Sequence, residues 1–245
     1  MAGVKTSHFL FMKEDIEQDI IDAIVEKPYA FKVDDKEFYL YPVTLGKKFM
    51  LQRLVKEMEL DDNVLKTNPM LEILRIAHLK KDLCCLYIAY HTCKSKKSLF
   101  SCKIQDRQQY FQEHLNEEDI ATLMMLSMID KTDEFMEHIG ITEEKEKQRV
   151  VSKIKASKNN LTFGGLSAYG TIIHSACEKY GWTMDYVVWG ISYTNLRLLM
   201  ADATESIYLT DEELKKVPRH ILAKNEEVII PNKENMQKIL EMNWR

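Results

Sequence analysis

Glycine and proline are scarce in this chain of 245 residues: 8 Gly and 5 Pro, together about 5% against the ~12% usual for a globular protein. A sandwich or barrel needs a turn signal every ~8 to 12 residues, so a many-stranded β fold is excluded and long helices are predicted. Long hydrophobic runs are missing as well. The longest uncharged apolar stretch, Leu83 to Cys93, spans 11 residues, whereas a membrane helix needs ~20, so it reads as a buried core helix. Met1 to Lys13 contains no apolar segment of signal-peptide length and no small-residue cleavage site, and a non-secreted protein is expected. The five cysteines are an odd number, scattered as Cys84, Cys85, Cys93, Cys102 and Cys177, which suits reduced thiols better than a disulfide framework. No sign of charge dominates: 34 Lys plus Arg against 38 Asp plus Glu give a net −4, without the basic excess of a nucleic-acid-binding domain.

What is present is a soluble globular composition, 45% hydrophobic and 29% charged. A chain of this length buries enough surface to fold without a metal or disulfide staple. Its 13 Met are about twice the usual share, and Met is the adaptable apolar residue of loosely specified cores and of surfaces that fit varied partners.

Apolar spacing predicts the elements. Ile16, Ile20, Ile21, Ile24 and Val25 form one face of a helix over about Lys13 to Lys27, stopped by Pro28. Tyr29 to Val33, a polar turn at Asp34-Asp35-Lys36, and Glu37 to Tyr41 read as a β-hairpin, and an isolated hairpin is marginal, so this one must lie on a helix. Thr44 caps a helix to about Leu60, which Asp61-Asp62-Asn63 breaks. Asn68 followed by Pro69 opens one long central helix to about Thr92. Ser95 to Ser101 is a basic connection before a helix over about Lys103 to Leu115. Asn116 with Glu117, Glu118 and Asp119 starts a helix to Ile129, and Thr132 and Thr142 start two more, the second reaching about Lys158. Short helices follow, with starts at Thr183, Ser192, Thr210 and Asn232 and a stop at Gly181. No glycine lies between Gly46 and Gly140, while five of the eight fall between Gly164 and Gly190. The expected architecture is therefore mainly α, an irregular helical bundle with one short N-terminal β-hairpin at about 29–41. The expected boundary lies at Lys158-Asn159-Asn160 and Gly164-Gly165, dividing a region 1–158 from a compact helical module 159–245, with one continuous domain as the alternative.

Catalytic patterns are hard to find. Cys84, Cys85, His91, Cys93 and Cys102 collect soft ligands, but adjacent cysteines on a helix point about 100° apart, and core packing fits them better than a zinc tetrahedron. Asp82, Glu113 and Glu117 to Asp119 fall in no motif of a hydrolase or metalloprotease, and Gly164-Gly165 with Gly170 is no phosphate loop. His174 reads as a core-edge histidine. Lys94, Lys96, Lys97 and Lys103 form the one dense basic cluster, flanked by Tyr90 and Phe100, and a solvated loop is preferred there over a nucleic-acid site. No catalytic residue, no metal and no cofactor is assigned. Met124, Met125, Met128 and Met136, beside Leu123, Leu126, Ile129 and Phe135, are more apolar surface than one helix face buries with ease. They form either a bundle core or a Met-rich groove for a partner helix.

Two stretches carry a resemblance. Phe163-Gly164-Gly165 and the run Ile172-Ile173-His174-Ser175-Ala176-Cys177-Glu178-Lys179-Tyr180-Gly181-Trp182-Thr183-Met184-Asp185 resemble the C-terminal helical part of tail assembly chaperones of long-tailed bacteriophages. Phe38 to Lys47 is similar to the hairpin-then-helix start of phage tail assembly proteins. Together they cover roughly a quarter of the chain. The resemblance implies a protein of the host cytoplasm that binds the tape measure protein, keeps its apolar helices soluble until tail-tube subunits polymerise, and is absent from the finished particle. It implies contacts to the tape measure protein, and to the tail-tube protein as a further partner, with self-association open and neither nucleic acid nor membrane involved. The client-binding residues expected are Leu123, Met124, Met125, Met128, Phe135 and Trp189. The central region Leu71 to Lys158 is larger than in a minimal chaperone, which leaves a structural tail or baseplate component as the alternative.

Overall fold

Residues 16–101, 103–155, 167–203, 206–218 and 221 are described by the computed structural model, and among them the chain is mainly helical, with 14 helices and a single two-stranded antiparallel hairpin. The chain divides into two compact units, Met1–Ile141 with Phe163–Ala203, and Thr142–Thr162 with Thr204–Arg245.

The first unit opens with α1 (Ile16–Ile24), whose Ile20 is buried with Phe135 and Leu198, while Ile21, Ile24 and Val25 face solvent. The apolar stripe is thus only partly used. Glu26, at φ 54°, ties the end of α1 down by accepting from the backbone N–H of Ser192 at 2.7 Å. The hairpin pairs β1 (Tyr29–Val33) with β2 (Lys36–Leu40) across a two-residue turn, Val33 opposite Lys36, and Asp34 takes the left-handed conformation that such a turn requires. It does lie on a helix. Phe31 and Phe38 pack on Phe111 of α7 (Lys103–His114), at 6.0 and 4.9 Å between ring centres.

Thr44 caps α2 (Leu45–Met58) as its sequence indicates, and Asp61-Asp62-Asn63 does more than break it. The Asp61 carboxylate accepts from Asn63 and Val64 N–H groups and starts α3 (Asp62–Thr67), a short helix that apolar periodicity does not reveal. Glu72, fully buried, clasps this turn: it accepts from Asp61 N–H at 2.7 Å and from Arg75 Nε at 2.8 Å, and the Arg75 guanidinium holds its carboxyl below the usual range.

The single long helix expected from Asn68 to Thr92 is two helices, α4 (Pro69–Leu79) and α5 (Lys81–His91), broken at Lys80 with φ −134° and ψ 48°. The reason lies in the inward positions. Ile73, Ile76 and Ala77 are buried before the break and Cys84, Ile88 and His91 after it, so a continuous helix would turn Lys80 toward the core. The break instead lets Lys80 Nζ reach the Glu57 carbonyl at 2.8 Å and the Glu59 carboxylate at 2.6 Å. The Ser95 to Ser101 connection also contains one helical turn, α6 (Lys96–Leu99), closed by a Ser95/Ser98 capping box.

Both α4 and α5 pack on α8 (Glu117–Met128), and α5 packs on α7. Their shared core is built from Ile73, Ile76, Cys84, Ile88, Phe111, Ile120 and Met124, each with no measurable exposure. Burying a side chain of this size contributes roughly 1.5 to 3 kcal/mol each. α9 (Thr132–His138) and α10 (Ile141–Lys155) follow in the chain.

Three helices beyond the expected boundary belong to the first unit: α11 (Ala168–Tyr180), α12 (Met184–Trp189) and α13 (Tyr193–Ala201). Leu45 of α2 is buried with Ala176, Val187, Ile191 and Leu196, and Tyr193 donates its N–H to the Val43 carbonyl at 2.7 Å. The described part of the second unit holds most of α10 and α14 (Asp211–Leu214), where Thr210 and Glu213 form a capping box and Val217 is buried. The boundary residues Lys158 to Asn160 and Gly164-Gly165, the end of α10 as predicted, and the helix expected at Asn232 lie outside the described residues.

Candidate partner-binding surface

The six residues expected to bind a client do not form one surface. Leu123 and Met124 are buried in the main core, and Met125 and Met128 are half-buried against it beside Leu126. Phe135 is buried in a different cluster, with Ile20 and Leu198. Of the two readings of this Met-rich helix, the bundle core describes Leu123 and Met124, since α8 packs on both α4 and α5, while Met125, Leu126 and Met128 keep part of their surface open. Trp189 stands apart from the other five, half-buried on the edge of the main core.

Around Trp189 the apolar surface is open. Phe100 is 67% exposed and meets the indole edge-on at 5.9 Å between ring centres. Lys96 Nζ lies 5.6 Å from the same ring and 2.6 Å from the Asp185 carboxylate. Tyr186 and Met184, on the helix that carries Trp189, are 43% and 64% exposed. Phe100 also lines an open groove of about 520 Å³ together with Tyr90, Leu99, Ser101, Ile104, Gln105 and Asp106. Sequence reading passed over Phe100 as a flank of a basic loop. An isolated aromatic in a lysine-rich connection was the available signal.

The Tyr-Gly-Trp-Thr turn beside this surface follows from local chemistry. Gly181, at φ 65°, ends α11 in the left-handed conformation, and Thr183 caps α12 by accepting from Tyr186 N–H at 3.2 Å. Trp182 folds back to stack on Tyr180 at 4.6 Å and to meet Tyr186 at 5.1 Å, while Tyr180 Oη donates to the Leu199 carbonyl at 2.7 Å. Gly46 is the seat of Trp189: a Cβ there would fall 2.7 Å from the indole. Gly46→Ala is expected to push the ring off α2, shift tryptophan emission and lower stability by about 1 to 3 kcal/mol in urea melts. Unchanged emission and midpoint would remove Trp189 from this seat.

The other chemical candidates resolve as packing or surface. Cys84, Cys85 and Cys93 are buried, and burial pushes the Cys84 and Cys85 thiols up to about 12, so both are protonated and poorly suited to bind metal. Among the described residues no three His, Cys, Asp or Glu side chains are grouped to hold a metal ion, and Cys102 lies outside them. His174 is exposed and faces Glu178 at 3.5 Å, not the core edge expected of it. His78 meets Glu117 at 2.9 Å on the surface, beside Asn116, which caps α8. No helix among the described residues is long and apolar enough to cross a membrane.

Two titratable groups are buried in the first unit. Lys47 is 1% exposed and pairs with no carboxylate among the described residues, and burial pushes its ammonium down to about 8. His91 is 2% exposed with Nε2 lacking a hydrogen-bond partner among the described residues, and burial, then the nearby Lys47 charge, pushes it down to about 3. Neither lines the open groove. Arg107 closes the end of the same helix, donating to the Thr92 carbonyl and hydroxyl at 2.8 Å each and to Cys93 Sγ at 3.6 Å.

Comparison of the chain with family models, with curated proteins and with solved structures returns no match.

Proposed function

We propose that this chain is a binding protein for apolar helices, and specifically a tail assembly chaperone of a long-tailed bacteriophage that holds the tape measure protein soluble in the host cytoplasm before the tail-tube protein assembles around it. The observation that carries the binding role is the exposed Phe100 ring set edge-on against the half-buried Trp189, near the exposed Met184 and Tyr186 of the helix that carries Trp189, on a helical scaffold with its own filled core. Apolar surface left open beside a packed core is the mark of an interaction site. The phage assignment rests on the resemblance of the segments around Tyr180-Gly181-Trp182 and Phe38 to Lys47.

Co-expression tests it. The soluble fraction of tape measure protein is expected to rise when this chain is present and to fall back with Phe100→Ala. Tape measure protein equally insoluble with and without the chain defeats the reading. Mass spectrometry of purified particles should find the chain absent; stoichiometric presence would make it a structural tail or baseplate component.

A further inference from the structure

The C-terminal end of α5 gathers basic side chains from three elements. Tyr41 donates its N–H to the His91 carbonyl at 2.9 Å, and α2, which begins a few residues later, places Lys47 near His91 and Cys93. Arg107 of α7 donates to Thr92 and to Cys93 Sγ. Lys47 and His91 are among the fully buried side chains, yet the Lys47 ammonium makes no hydrogen bond or ion pair among the described residues and His91 Nε2 has no partner there. The acceptors that a helix end usually offers a cation are already occupied. The Ile88 and Ala89 carbonyls accept from Thr92 N–H, that of Tyr90 from Cys93 N–H, that of His91 from Tyr41 and that of Thr92 from Arg107. The titratable neighbours acting on the pair are Cys93 on Lys47 and Lys47 on His91, and no carboxylate is among them.

We propose that Lys47 and His91 hold a small inorganic anion of the halide class at the C-terminal end of α5. At pH 7 the Lys47 ammonium is still mostly charged, since its value of about 8 lies above the pH, and a buried charge without a counter-charge is unfavourable. Buried polar groups are as a rule hydrogen-bonded, to protein, to water or to an ion. Lys47 Nζ is a donor only, and a neutral imidazole can carry its proton on Nε2, so the pair asks for an acceptor between them. Arg107, on the far side of its Cys93 contact, adds a second fixed positive charge, which favours a negative acceptor over water. Full burial of both side chains favours a monatomic anion over phosphate or sulfate, which need more room and more donors. The site is independent of the helix-binding role.

Urea denaturation of the full chain at pH 7, with chloride replacing methanesulfonate at constant ionic strength, tests it alongside the chloride NMR line width. The folded-to-unfolded ratio is expected to rise with chloride, approaching about ten-fold for each ten-fold in chloride once the site is more than half filled, and the protein is expected to broaden the chloride line. Lys47→Met keeps the stem and discards the charge, so it should fold and lose both effects. His91→Leu should weaken chloride binding about ten-fold. The stability gain expected of Lys47→Met is that of the protein in methanesulfonate, and chloride should narrow it. Equal stability in the two salts, the result for a site that holds water, overturns the proposal. A chloride dependence or line broadening that survives Lys47→Met overturns it as well, since the anion then binds elsewhere, and so does an unchanged chloride affinity in His91→Leu.

Discussion

Acidifying the protein from pH 6.5 to about 4 is expected to cost it about 3 kcal/mol through His91 alone. The imidazole is buried among Tyr87 and the α5 core, its ring 4.8 Å from that of Tyr87, and stays neutral in the folded chain down to about pH 3. In the unfolded chain it takes up a proton at its ordinary value of 6.5. Below that value the unfolded state binds a proton that the folded state refuses, so stability is present above pH 6.5 and is lost as the pH falls toward 3. Urea denaturation of the wild type and of His91→Leu across this range isolates the effect from ordinary carboxylate titration. The variant should gain on the wild type by about 3 kcal/mol as the pH drops to about 4, in addition to any benefit at neutral pH from removing the unpartnered Nε2. A difference that does not change with pH would show that His91 is solvated.

Lys47→Met is expected to stabilise the protein by about 3 kcal/mol at pH 7, an uncommon sign for a core substitution. The folded-state value of about 8 against an ordinary 10.5 means that keeping the buried ammonium charged is unfavourable at neutral pH. Methionine retains the unbranched stem and discards the charge. The sign of the pH dependence follows from the same difference: between about 8 and 10.5 the unfolded chain holds a proton that the folded chain has released, so wild-type stability from this group rises with pH. The advantage of Lys47→Met should therefore shrink across that interval and be spent by pH 10.5. Because Lys47 also depresses His91, the same substitution should flatten the acid loss described above. A Lys47→Met variant that melts below the wild type, or whose advantage is the same at pH 7 and pH 10.5, would mean that the ammonium finds water or an acceptor.

Much of the local structure was legible because it is written in short-range chemistry. Asn68 with Pro69, Asn116, Thr183, Ser192 and Thr210 cap helices where their side chains predict it, and Gly181 ends one. The hairpin and its need for a helix to lie on were legible too, from alternating aromatics around a polar turn. The break at Lys80 was not, since neither glycine nor proline marks it and only the packing of α4 and α5 against α8 makes a continuous helix unfavourable. The packing of the Met-rich helix was not legible for a related reason. Met124, Met125 and Met128 are apolar in any setting, and whether they form a groove or a core depends on how many neighbours reach α8.

By itself, then, the sequence determined a mainly helical chain with one hairpin, where most helices start, and that its apolar content exceeds what single helix faces bury. Capping, spacing and glycine scarcity act over a few residues and need no knowledge of the fold. Tertiary structure alone decided which apolar residues remain outside, returning α11, α12 and α13 to the N-terminal unit through Leu45 and leaving Phe100 open beside Trp189. It also decided that Lys47 and His91 are buried without partners of opposite charge among the described residues. Burial is a property of packing between distant segments, and a lysine or a phenylalanine carries no mark of it along the chain.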